Sequence, residues 1–219
     1  MDDNKKKLIV VTGFGPFAGH EEVNASWEAV KLLPEHHKEY QVKKYLVPVV
    51  YEEVDKIIED IWKQKPYLVI HVGVHGRAKC MYVEKLAYNH EFKKMDYSRR
   101  VLECPTICLQ NNDEKCCKIK TKLDVRRIVS LLNDMKGCGC SPDMPQFCST
   151  SSDVGNYLCG YIYLKSLDRD PERSLFLHVP PVDKPFSSEE TSEAIFEIVK
   201  ECVSQLEDAT EKIQIDNKI

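Results

Sequence analysis

Apolar residues fall along this chain in two alternating patterns. Continuous runs at Leu8–Val11, in "PYLVIHVGVHG" (66–76) and in "RSLFLHVPP" (173–181) read as strands buried on both faces. Between them lie segments with helical spacing. "NASWEAVKLL" follows Asn24, a helix N-cap type, and "YEEVDKIIEDIWKQ" puts Val54, Ile57, Ile58 and Ile61 on one face. "YQVKKYLVPVV" predicts a further strand and "MYVEKLAYNHEF" an extended stretch. Residues 93–121 are polar and loop-like. "TKLDVRRIVSLLNDM" restores a helix, "QFCSTS" a short strand and "YLCGYIYLKSL" another helix. "SSEETSEAIFEIVKECVSQLED" closes the chain as a helix capped by Ser187 or Ser188, with acidic residues in its first turn. Alternating strands and helices predict an α/β fold: a mostly parallel, twisted sheet flanked by helices on both faces. No repeat or linker interrupts the pattern, and 219 residues suit one domain, residues 1–219.

Composition narrows the function classes. A net charge of −4 and a pI near 6 give no general attraction to nucleic acid or anionic lipid. The longest apolar run near the start, Leu8–Val11, is too short for a signal peptide core or a membrane span. The expectation is a soluble cytosolic protein, whose ten cysteines stay reduced as thiols. Seven of the ten lie between Cys104 and Cys148.

Ligands of open α/β sheets bind beyond the carboxyl ends of the strands. Here "TGFGPF", "HVGVHGR", the turn before "NYLC" and "FLHVPP" bring glycines, two phenylalanines, a cysteine and a histidine to such ends. With Asn156 as N-cap, Cys159 is the third helical position of its segment, where unbonded N–H groups and the helix dipole stabilise a thiolate or an oxyanion. A buried apolar cysteine is the alternative. His178 ends a buried strand, either hydrogen-bonded to backbone or paired with the thiol. Glu84 is either an exposed strand residue or the carboxylate that orients the imidazole. "GFGPF" with Ala18 also fits G-x-G-x-x-A, but no helix starts at that turn and no acidic residue ends the second strand, so a dinucleotide site is rejected. Phe14 and Phe17 on this glycine turn suit a small, flat, mostly apolar group, or else pack onto the core.

Taken together, "VTGFGPF", "VNASWEAV", "HVGVHG", "VEKLAYN", "DVGNYLCGYIYLKSL" and "SLFLHVPPVDKPF" resemble, in order, the motifs of the type I pyroglutamyl-peptidases, cytosolic cysteine peptidases. The resemblance spans most of residues 8–187. It implies hydrolysis of an N-terminal pyroglutamyl residue from peptide substrates, with Cys159 as nucleophile, His178 as base and Glu84 as the orienting acid. It also implies that Phe14 and Phe17 bracket the lactam ring, that Asn24 belongs to the substrate site, and that no metal or cofactor takes part. Two other readings compete: a relative that binds pyroglutamyl peptides without turnover, and a zinc protein built on Cys104, Cys108, Cys116, Cys117, Cys138 and Cys140, whose spacing matches no standard C-x2-C pair.

Overall fold

A computed structural model describes residues 6–16, 22–111, 117–137 and 146–216. Strands β1 (Lys7–Phe14), β3 (Tyr40–Val47), β4 (Leu68–Val74) and β9 (Ser174–Val179) form the parallel centre of a seven-stranded sheet. The two-residue strand β2 (His36–His37) edges it on one side, β5 (Met81–Glu84) and β8 (Cys148–Ser151) on the other, in the order β2-β3-β1-β4-β9-β5-β8. The expected α/β class and mostly parallel sheet are found, with one departure beside the site: β5 runs antiparallel to β9. A separate two-stranded ladder, β6 (Leu86–Tyr88) with β7 (Lys118–Lys120), closes part of the segment expected to be loop.

The central strands are apolar throughout because helices cover both faces. Side chains alternate across the pleat. Ile9, Val11, Ile70, Val72, Leu175 and Leu177 join the core against α1 (Ala25–Val30), α3 (Val125–Met135) and α5 (Ser188–Asp216). On the other face Phe14, Val47 and Phe176 pack with α2 (Tyr51–Lys63) and α4 (Leu158–Arg169). The caps follow the sequence. Asn24 Oδ1 accepts from Ser26 N, and the Asp124 carboxylate accepts from Arg126 N and Arg127 N. Ser187 and Glu190 bond each other's backbone N–H in a capping box at the head of α5. Among the described residues no helix is long and apolar enough to cross a membrane.

A polar contact bolts the sheet to α4. His71, on β4 and fully buried, bonds Thr12 Oγ1 through Nδ1 at 2.8 Å and Ser166 Oγ through Nε2 at 2.7 Å. Trp62 Nε1 donates to the same Ser166 hydroxyl at 3.3 Å. Both ring nitrogens are satisfied by neutral hydroxyls, so nothing offsets the loss of hydration of a charged ring, and burial pushes its pKa down to about 3. A histidine neutral in the fold but protonated in the unfolded chain favours folding fully above about pH 6.5 and progressively less toward pH 3, by at most ~1.4 kcal/mol per pH unit. Urea unfolding at a series of pH values is expected to show this decline. A His71→Gln variant is expected to flatten it, and an unchanged decline in that variant would show that other groups cause it.

Candidate active site

The loop ahead of α4 decides where Cys159 sits. Gly155 N donates to Asp153 Oδ1 at 3.1 Å, and Gly155 takes the left-handed conformation at φ +78°. Its carbonyl then lies directly against α4 at Gly160, where any Cβ would collide with it. The helix begins one residue later than the sequence suggested. Tyr157, extended and without a side-chain cap bond, is the N-cap instead of Asn156, so Cys159 is the second helical position and not the third. It remains in the first turn, whose N–H groups have no intrahelical acceptor.

Sheet geometry brings the other groups to it. His178 on β9 lies in register beside Gly73 on β4. The Cys159 sulfur occupies the space a side chain at position 73 would fill, since a Cβ there would be 2.8 Å from Sγ and 2.8 Å from Phe176 Cζ. The missing side chain makes room for the thiol on the His178 side of β4, close enough for the sulfur to influence the imidazole. On the ring's far side, Nδ1 is 2.8 Å from Glu84 Oε1. Glu84 faces Phe176 across the antiparallel β5–β9 pair and His178 faces Tyr82, so the acid and the ring are diagonal neighbours on one face. The structure thus brings Cys159, His178 and Glu84 together.

The electrostatics follow from burial. The side chains of His178 and Glu84 are 6% and 1% exposed. Burial alone pushes the imidazole's pKa down, but hydrogen bonds to Cys159 and Glu84 and the negative charge of both partners carry it up to about 9. This group therefore favours the folded state below about pH 6.5 and stops doing so as pH rises through about 9, the reverse of His71. Tyr163 supports the acid from behind, donating its hydroxyl hydrogen to the Glu84 carbonyl at 3.0 Å.

Beside the sulfur lies a small, nearly apolar cavity of about 30 Å³, lined by Phe14, Asn24, Val49, Val74, Tyr157, Leu158 and Cys159. Phe14 is buried in its wall. Asn24 lines it too, but its amide is already engaged: Nδ2 donates to the Gly15 carbonyl at 2.9 Å and Oδ1 accepts from Ser26. Asn24 therefore fixes the glycine turn that presents Phe14. Phe17 lies outside the described residues. Sequence reasoning passed over Val49, Val74, Tyr157 and Leu158, which only the fold brings to one place. It also passed over Gly73, although a glycine inside a buried apolar strand signals a close approach.

The remaining cysteines divide by exposure. Cys148 and Cys202 are buried, and burial pushes the Cys148 thiol up to about 12. Cys104, Cys108 and Cys117 are exposed, while Cys116, Cys138 and Cys140 lie outside the described residues. Among the described residues, no group of three or more His, Cys, Asp or Glu side chains is placed to hold a metal ion.

The fold and site define an α/β protein whose thiol, imidazole and carboxylate are aligned at the head of a helix, next to an apolar cavity. The chain belongs to the pyroglutamyl peptidase family, whose sequence profile matches residues 6–213. It is 34% identical to human pyroglutamyl-peptidase 1 over 99% of each chain. It is 35% identical to the rat enzyme of the same name over 94% of this chain and 95% of that one. A mutant pyrrolidone carboxyl peptidase from Pyrococcus furiosus shares the fold with a TM-score of 0.77 and 23% identity, covering 91% of this chain and 99% of that one. The crystal structure of pyrrolidone carboxyl peptidase from Thermus thermophilus superposes with a TM-score of 0.73 at 25% identity, over 88% and 98% of the two chains.

Space over Gly73 is the most exacting feature of this arrangement. Gly73→Ala is expected to push the sulfur away from the ring and slow alkylation of Cys159 by iodoacetamide roughly 10²-fold, the scale of a 1 Å misplacement. Peptide mapping of limited alkylation, alongside circular dichroism to verify folding, measures this. Unchanged labelling in a folded variant would mean the sulfur does not depend on that space.

Proposed function

We propose that this protein is a cysteine peptidase that removes an N-terminal pyroglutamyl residue from peptides. The single observation that carries the reading is the buried imidazole of His178, placed between the Cys159 thiol and the Glu84 carboxylate beside the Phe14 cavity. Membership of the pyroglutamyl peptidase family supports the same substrate.

The chemistry follows from these groups. His178 holds its proton up to about pH 9 and so is poised to act as the acid while Cys159 attacks as the nucleophile. The Cys159 thiolate attacks the pyroglutamyl carbonyl carbon, and the first-turn N–H groups of α4 face the developing oxyanion. His178 gives its proton to the departing amine, the C–N bond breaks, and a thioester remains on Cys159. The imidazole, now neutral, takes a proton from water, whose oxygen attacks the thioester and regenerates the thiolate and imidazolium while pyroglutamate leaves. Glu84 holds the ring through Nδ1 and offsets its charge. This route calls for no metal and no cofactor.

Pyroglutamate is a neutral lactam, so an apolar pocket with few polar groups suits it. Phe14 forms one wall, with Asn24 holding the turn that carries it; Phe17, outside the described residues, is assigned to the same substrate group from the family resemblance alone. An unblocked glutamine or glutamate N-terminus would bury an unpaired charge there and is rejected. Three exposed thiols, Cys104, Cys108 and Cys117, and an activated fourth suit the reducing cytosol.

Two measurements test this reading. The protein is expected to hydrolyse a pyroglutamyl-aminocoumarin, and Cys159→Ala to lower kcat by roughly 10⁴-fold or more. Binding of a pyroglutamyl peptide without turnover by the wild type would replace the peptidase with a binding protein. In a pH series, kcat/KM is expected to fall near pH 9 as His178 loses its proton. Glu84→Gln removes one cause of that elevation, so its alkaline limb should move to lower pH. A limb that stays in place would remove Glu84 from the mechanism.

A further inference from the structure

A second cavity, of about 680 Å³, opens at the same edge of the sheet. Ala78, Phe147, Pro181, Pro185 and Phe186 give it apolar walls, and the Phe147 and Phe186 rings meet at 4.5 Å between centroids. Among the described lining residues its rim carries exposed Arg77, Lys79 and Lys184 and no acidic residue, while exposed Asp183 adjoins Lys184 outside the lining. Among the described residues none of these three cations is in an ion pair.

This trough lies close to the site along the chain and the sheet. Arg77 and Ala78 follow His75 along the chain, and the exposed His75 ring stands edge-on to His178 at 5.7 Å and to Tyr82 at 6.0 Å. His75 N donates to the Val179 carbonyl and Ala78 N to the His75 carbonyl, each at 2.9 Å. Pro181 lies just past His178 on the other wall. The two cavities flank His178. The Phe14 cavity lies at the ends of β1, β3 and β4, whereas the trough lies beyond the end of β9 and the starts of β5 and β8. If the acyl group occupies the first, the amine protonated by His178 departs toward the second.

We propose that the trough binds the leaving part of a short peptide substrate, two or three residues long, with an apolar side chain against Phe147 and Phe186. Its free C-terminal carboxylate then reaches Arg77, Lys79 and Lys184. Two to three extended residues span about 7–11 Å, the length of leaving chain the proposal lays over His75 toward that rim. The proposal rests on the peptidase reading, deepening it from the residue removed to the peptide that carries it. The basic rim contributes selectivity among downstream sequences, a property the lactam pocket cannot supply.

The test compares pyroglutamyl-Leu-Phe with its C-terminal amide in wild type and in an Arg77→Glu/Lys184→Glu double variant. Taking the ratio of kcat/KM for acid over amide within each preparation cancels any general loss of activity. Wild type is expected to favour the acid about fivefold, mainly through KM and less so at high salt, as exposed charge contacts do. The double variant is expected to lose or invert the preference. Equal rates for acid and amide in wild type, or a preference that survives the double variant, would overturn the proposal. So would gel filtration showing self-association that the double variant abolishes while the ratio stays fixed, because the trough would then join two copies of the chain. Hydrolysis of pyroglutamyl-aminocoumarin, which has no downstream residues, tests the peptidase reading separately. Its absence in wild type would end that reading rather than this one.

Discussion

A buried imidazole keeps its proton only where negative groups replace the water it has lost. At His178 that replacement comes from Glu84 on one side and Cys159 on the other. The rest of the molecule can be understood as the means of holding these groups against one ring. Removing either partner would leave a charged group in an apolar interior, which is far more costly than an exposed pair coming apart. The arrangement is thus a dependence of the fold as well as the proposed reactive centre.

Rigid elements, not loops, carry the three groups. His178 rides on a fully buried strand, Glu84 on the neighbouring strand running the other way, and Cys159 on the first turn of a helix packed on β4 and β9. Two glycines make the approach possible. Gly73 vacates the space the sulfur fills, and Gly160 admits the carbonyl of the loop leading into the helix. Side chains at either position would separate groups that no other feature could bring back together.

The same sheet shows how environment, not residue type, decides a histidine's role. His71 and His178 are both buried on central strands, yet their pKa values move in opposite directions. His71 meets only hydroxyls and stays neutral as a structural bolt between β1, β4 and α4. His178 meets a carboxylate and a thiol and is held charged. A third histidine, His75, stands exposed at the strand end between the two cavities.

Local pattern in the sequence was enough for the α/β class and for helix caps at Asn24 and at Ser187 or Ser188, and it named Glu84, Cys159 and His178 as candidates. Periodicity, capping chemistry and turn residues act over a few neighbouring positions, so they can be read from neighbours alone. The antiparallel run of β5, the start of α4 at Leu158 and the sulfur's seat over Gly73 could not be read this way. Nor could the joining of Val49, Val74, Tyr157 and Leu158 into one cavity, or the bolt at His71. Those depend on which strands become neighbours and in which register, and contacts between residues 59 to 95 positions apart leave no periodic trace in a sequence. The chain by itself named which residues could carry chemistry; only tertiary packing decided which of them meet, at what distance, and with what charge.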